Sequence, residues 1–232
     1  MLPIIAAMPV DLRHLGPLYH SYRLLGGVND QLPGIYALNQ ACKEPILIAY
    51  IEHAIAKCRE ATGTPVSFAE LFCADGYYAM LAKHFGATTS IGIDNDRDGH
   101  FANARKIAAA LGLDVDFRQM DVEAIDTLPP VDIVANVGGL YHVSDPLAIL
   151  RKSHAFARRF LIVQNVVSLA RADDAYFEAP APGWTWGNRF SRASFDKAIR
   201  ETGWHVVDRH FNELEANDRP EDRGSVYYLI SR

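Results

Sequence analysis

From residue 66 onward, short apolar runs alternate with amphipathic stretches. "VSFAELF" (66–72) is apolar along most of its length, as suits a strand covered on both faces. Residues 77–85 show helical spacing, with Gly86 placed as a stop. "TTSIGID" predicts the next strand, and "DGHFANARKIAAALGL" a helix ended by Gly112. "VDFRQMD" predicts a third strand and "VDIVANVGG" a fourth, after the Pro129-Pro130 break. "DPLAILRKSHAFA" reads as a helix with Asp145 as N-cap and Pro146 at its first position. "RFLIVQNVV" predicts a fifth strand, residues 194–201 a helix stopped by Gly203, and "WHVVDRHF" and "SVYYLISR" two closing strands.

This rhythm predicts an α/β fold, a doubly wound, Rossmann-like and mostly parallel sheet with helices on both faces. The final two strands have no helix between them, so they are expected as an antiparallel C-terminal hairpin at the sheet edge. Residues 1–60 read differently. They hold "YHSYRLLGG", the turn "QLPGIY" and the start of a helical stretch over 39–61. They are expected as an N-terminal helical cap over the carboxyl edge of a sheet domain spanning 61–232. Ligands bind at that edge in such folds.

The 232 residues are 49 % hydrophobic and 22 % charged, a globular composition with enough chain for a substantial core. A formal charge of −5 gives no general attraction to nucleic acid. The pairs Arg151-Lys152 and Arg158-Arg159 are read first as a solvated helix face and only second as phosphate contacts. The three cysteines, Cys42, Cys58 and Cys73, lack the paired spacing of a zinc site and read as reduced thiols, which implies a cytoplasmic setting. "MLPIIAAMPV" lacks a basic leader and is a poor signal peptide. No apolar run approaches a membrane span, so no membrane partner is expected; a homodimer is compatible with the chain.

Candidate chemistry gathers at the strand ends. After Glu70 the chain turns through Ala74, Asp75 and Gly76 into a helix, and Asp94 ends the next strand about 20 residues on. That spacing suits a helix N-terminus beside a ligand and an acid on ribose hydroxyls. Glu70 also reads as a local cap, and Cys73 as a packing residue rather than a nucleophile.

These features resemble the class I S-adenosylmethionine-dependent methyltransferases, over residues 66–167. Their acid-plus-three-glycine motif corresponds to Glu70 followed by Phe72, Ala74 and Gly76, so only Gly76 keeps its glycine. "GIDND" resembles the ribose motif, with Asp94 as acceptor and Asn95 beside it. "RQMDVE" resembles the adenine motif, with Asp121 on the amine and Met120 and Val122 against the ring; a plain helix N-cap is the other reading of Asp121. "DIVANVGGLYHVSDPLAILR" resembles the fourth-strand motif, which puts Asn136, Val137 and Gly138 beside the methionine part. "LYHVSDP" resembles a subset that includes tRNA wobble-uridine-modifying transferases and small-molecule methyltransferases. The resemblance implies S-adenosyl-L-methionine as cofactor, with Glu70, Cys73, Ala74 and Gly76 in its loop, and a small-molecule methyl acceptor.

Tyr141 and His142 follow the fourth strand, where the methyl group would meet its acceptor. A histidine there suits proton removal at neutral pH; alternatively Tyr141 packs on the cofactor and His142 shapes the loop. Trp184 and Trp186 in "EAPAPGWTWGNRF" read equally as substrate contacts or loop anchors. "NELEANDRPEDRG" alternates acid and base too closely to predict a metal. Tyr22, Arg23, Tyr36, Asn39 and Lys43 are placed to line a lid, with Arg23 or Lys43 on the cofactor carboxylate. Three rivals stand beside a small-molecule methyltransferase. They are a tRNA-modifying enzyme, a non-catalytic partner subunit of the same fold, and a nicotinamide dehydrogenase, which the acids Glu70 and Asp75 near the turn disfavour because they would repel a pyrophosphate.

Overall fold

The computed structural model describes residues 8–63 and 65–232; most of the apolar N-terminal run lies outside them. Seven strands form one sheet: β1 (Ser67–Leu71), β2 (Thr89–Asp94), β3 (Asp116–Gln119), β4 (Val131–Val137), β5 (Ala157–Val167), β6 (His205–Glu213) and β7 (Gly224–Ser231). Their spatial order is β6-β7-β5-β4-β1-β2-β3. β1 to β5 pair in parallel, and β7 runs antiparallel to both β5 and β6. The C-terminal hairpin therefore lies at the sheet edge, with β6 outermost.

Five helices cover the sheet: α1 (Tyr36–Thr62), α2 (Tyr77–His84), α3 (Phe101–Ala110), α4 (Pro146–Phe156) and α5 (Arg192–Glu201). On one face Leu47, Ile51 and Ile55 of α1, Met80 and Leu81 of α2 and Ile107 of α3 meet Phe68, Ile133, Ile162 and Leu229 in one cluster. On the other face Ile149 and Leu150 of α4 and Phe195 and Ile199 of α5 meet Leu71, Val134, Leu161 and Ile230. β1 is buried almost throughout because helices cover both of its faces.

The ends follow from local chemistry. Asp145 accepts the N–H of Ala148 at 2.9 Å and Pro146 opens α4, as the sequence predicts. α5 starts at Arg192 because Ser191 and Ser194 cap it reciprocally. Among the described residues no helix is long and apolar enough to cross a membrane. The order of strands reverses between β1 and β4, so a crevice opens at their carboxyl ends.

Candidate active site

A two-lobed cleft lies at that crevice. Its outer lobe, about 430 Å³, is walled by Ile93, Asp94 and Asn95 after β2, by Met120, Asp121 and Val122 after β3, and by His142. The inner lobe, about 220 Å³, is lined by Glu70, Val137 and Tyr141, by Tyr36, Asn39 and Lys43 from α1, and by Trp184 and Arg189. Tyr19, Phe72, Ala74, Gly138 and Trp186 border both lobes and form the waist between them.

Asp94 ties the outer lobe together. One carboxylate oxygen accepts the N–H of Ala74 at 2.9 Å and the other that of Asp96 at 2.7 Å, so a single side chain joins the loops after β1 and β2. Each oxygen keeps a further lone pair, enough to accept two hydroxyls. Burial pushes the Asp94 carboxyl above its ordinary range, against those two bonds. Asp121 stands at the N-cap position of the turn after β3, yet its side chain caps nothing; it accepts Nδ2 of Asn95 at 3.0 Å.

The loop after β1 enters the left-handed region at three positions with only one glycine among them. Phe72, Ala74 and Gly76 have φ of 60°, 48° and 82°. The left-handed region costs a residue with a Cβ about 1–2 kcal/mol, so Phe72 and Ala74 hold this shape against their own preference. The bond from Ala74 to Asp94 pins the turn, and Glu70 accepts the N–H of Ala79 at 2.7 Å in the first turn of α2. Glu70 is buried, and that burial pushes its carboxyl well above the usual range. It both caps α2 and lines the inner lobe.

Cys73, Gly76 and Asn136 border neither lobe. Cys73 is fully buried under the loop, where desolvation raises its thiol well above the usual value. Gly76 forms the N-cap of α2, and a Cβ there would strike the Phe117 ring. Asn136 donates to Ser153 Oγ of α4 at 2.9 Å, on the far side of β4 from the inner lobe, and its Oδ1 has no partner among the described residues.

Tyr141 and His142 separate between the lobes. Tyr141 borders the inner lobe beneath the Arg189 guanidinium, 5.1 Å from its ring, and burial pushes its hydroxyl up to about 12. His142 borders the outer lobe, stacked on Trp186 with ring centroids 5.1 Å apart. Arg97 reaches its Nδ1 at 3.2 Å, so Nδ1 accepts and the proton sits on Nε2. Burial, and then the Arg97 charge, bring His142 down to about 4. It is neutral at pH 7, with its basic nitrogen occupied.

Several lining residues escaped the sequence reading. The buried His20 sits on the inner lobe, with Nδ1 2.6 Å from Oδ1 of the buried Asp75. Arg189 pairs with Asp222 at 2.6 Å, and Leu214 and Asn217 of the same acidic-basic connection complete the wall. The signals were present: "LYHSYR" sets a histidine among aromatics, and "WGNRF" sets an arginine among apolar neighbours. Of the expected lid, Tyr36, Asn39 and Lys43 line the inner lobe. Tyr22 is buried beneath it, donating to the Asp75 carbonyl at 2.8 Å, while the exposed Arg23 pairs with Glu44 at 3.1 Å. Trp184 and Trp186 both face the cleft. Their loop is pinned by Asn188, which donates to the carbonyls of Leu140 and Val143, each at 2.8 Å. Among the described residues no His, Cys, Asp and Glu group gathers as for a metal ion.

Neither a scan against protein-family models nor a search of curated protein sequences gives a match. Solved structures do. Magnesium protoporphyrin IX methyltransferase (ChlM) from Synechocystis PCC 6803, with bound SAH, superposes with a TM-score of 0.63 at 13 % identity, over 91 % of this chain and 92 % of that one. The N-terminal domain of EvdMO1 with SAH bound gives 0.55 at 22 % identity, over 79 % and 81 %. The [4+2]-cyclase SpnF gives 0.57 at 17 % identity, over 78 % and 80 %. The fold is thus the Rossmann-like methyltransferase fold, and identities this low speak of the fold alone. A cyclase among the neighbours shows that one framework carries more than one chemistry.

Proposed function

We propose that this protein binds S-adenosyl-L-methionine and transfers its methyl group to a small-molecule acceptor held in the inner lobe. The observation that carries the reading is the pair of carboxylates, Asp94 and Asp121, at neighbouring strand ends of a lobe walled by Ile93, Met120 and Val122. The free lone pairs of Asp94 suit the two ribose hydroxyls, and the unengaged oxygen of Asp121 suits an exocyclic amine. The apolar side chains suit a flat base. A pyrophosphate fits badly, because the Asp94 and Asp121 carboxylates share the wall of this lobe with the Phe72 ring. The methionine portion would pass Ala74 and Gly138 into the inner lobe.

When bound, S-adenosyl-L-methionine supplies a methyl group already activated as a sulfonium. The protein's own work is then mostly positioning, which alone is worth several kcal/mol. Tyr19, Phe72, Ala74, Gly138 and Trp186 at the waist would position the donor, and the aromatic walls of the inner lobe would pack on the acceptor. An inner lobe of about 220 Å³ supports a small acceptor rather than a tRNA.

Calorimetric titration with S-adenosyl-L-methionine and S-adenosylhomocysteine tests the reading. Micromolar binding of both, lost in Asp94→Ala, is expected. Binding of NADH with no binding of either sulfur ligand would replace the reading with a dehydrogenase. Binding to tRNA that weakens steeply with salt would move the acceptor to nucleic acid.

A further inference from the structure

We infer that the inner lobe takes a single-ring aromatic acid bearing a hydroxyl, with His20 receiving the hydroxyl proton and Lys43 facing the acid group. The methyl-transfer reading supplies the reaction; the binding inferred here stands or falls without it. Only 9 % of His20 is exposed, and that part faces the lobe. Its backbone N–H and its Nδ1 both reach the Asp75 carboxylate, at 3.0 and 2.6 Å. With the Nδ1 proton given to that carboxylate, Nε2 carries the lone pair and has no partner among the described residues. Tyr77, stacked at 4.9 Å, and Tyr19, tilted at 4.7 Å, fix the plane of the ring. A buried carboxylate behind an imidazole sets its tautomer and stabilises the charge it gains on protonation. Such a device serves an acceptor atom that must lose a proton as it is alkylated, as a hydroxyl must. His142 lacks this arrangement, since Arg97 occupies its Nδ1.

The rest of the wall narrows the ligand. Tyr36, Tyr141, Trp184 and Trp186 offer flat faces, which suit an aromatic ring. Of the cations on the lobe, Arg189 is committed to Asp222 at 2.6 Å and to the Asn188 carbonyl at 2.6 Å. Lys43 forms no ion pair among the described residues, and a carboxylate on the ligand would meet it. In the reaction, the hydroxyl oxygen forms its bond to the methyl carbon while its proton passes to Nε2. The electrons of the broken carbon–sulfur bond stay on sulfur, so the positive charge moves to the imidazolium facing Asp75.

Calorimetry on the 232-residue protein, saturated with S-adenosylhomocysteine and repeated without it, tests this with 4-hydroxybenzoate and benzoate as probes. 4-Hydroxybenzoate is expected to bind ~10-fold more tightly than benzoate, the worth of one hydrogen bond to a buried acceptor. His20→Phe should bring that preference within ~2-fold, and Lys43→Met should weaken both probes by ~10-fold while leaving S-adenosylhomocysteine affinity unchanged. Should His20→Phe melt early because Asp75 is left unpaired, the double variant His20→Phe/Asp75→Asn removes the stranded charge and carries the same comparison. The inference is overturned if 4-hydroxybenzoate does not bind, or if its preference over benzoate is absent or survives in the His20 variants. It is overturned equally if Lys43→Met weakens S-adenosylhomocysteine alone, which would put that cation on the cofactor. Absence of S-adenosylhomocysteine binding with the probe preference intact would sink the methyl-transfer reading and leave this one standing.

Discussion

The ring of Phe72 occupies the space that a side chain on Gly139 would need: a Cβ on residue 139 would overlap three atoms of that ring. This packing, across the ends of β1 and β4, holds an aromatic side chain at the waist of the cleft although its own backbone is in the left-handed region.

Gly139→Ala should therefore push the ring out of place and cost about 1–3 kcal/mol, the usual penalty of overpacking. Phe72→Ala should recover part of that loss. A double-mutant cycle on urea midpoints measures the coupling, and additive losses would show that the two residues do not depend on each other.

Asp94→Asn keeps the shape of the side chain but turns an NH₂ group toward a backbone N–H that now meets a carboxylate oxygen. Affinity for S-adenosylhomocysteine should fall about 10–100-fold, with a stability loss of about 1 kcal/mol, because a partly buried donor is left facing a donor. Calorimetry and thermal melts read the two effects separately.

Glu70 carries a pH signature. Its folded pKa lies above its unfolded one because burial disfavours the charge. Between the two values the native state binds more protons, so its stability falls as pH rises from the unfolded pKa, near 4.3, through the raised folded value. Each unit of separation corresponds to about 1.4 kcal/mol. Glu70→Gln keeps an acceptor for the Ala79 N–H without the charge. It should flatten this decline and match or exceed the parent protein at pH 7.5. Urea denaturation from pH 4.5 to 8 checks it, and identical pH curves would contradict it.

Arg189 and Asp222 form a pair in which the arginine side chain is only 5 % exposed. Asp222→Ala strands that guanidinium and should destabilise the protein by about 3–5 kcal/mol. Arg189→Met/Asp222→Leu, which removes both charges, should cost markedly less. Guanidinium midpoints distinguish the two.

The strands and helices of the sheet were legible because each carries its period and its stop: alternating or wholly apolar runs, Gly86, Gly112 and Gly203 after helices, Asp145-Pro146 before one. Asp94, Asn95, Met120, Asp121 and Val122 were legible as a cluster because a doubly wound sheet brings successive strand ends together. The inner lobe was legible only in pieces. Besides Glu70, Phe72 and Ala74 of the first loop, its walls come from residues 19–43, 137–141, 184–189 and 214–222, and no local pattern states that those segments meet. His20 finds Asp75 across 55 positions, and Arg189 finds Asp222 across 33. The fourth-strand motif names Asn136 and Val137 together, without separating the faces they turn to. Asn136 turns to Ser153, whereas Val137 turns to the lobe, because alternate residues of a strand face opposite ways. The glycine-poor loop departs from the motif in its residues, yet its backbone takes positive φ at Phe72, Ala74 and Gly76.

β7 is synthesised after β6 yet lies between β6 and β5. While the chain is still emerging, β6 has no neighbour to pair with and β5 presents a bare edge, which invites pairing with other molecules. Only when residues 224–231 arrive do β5 and the inner edge of β6 gain their partner, in one step. Conditions that slow that insertion should show first as aggregation of new chains rather than as a less stable finished protein.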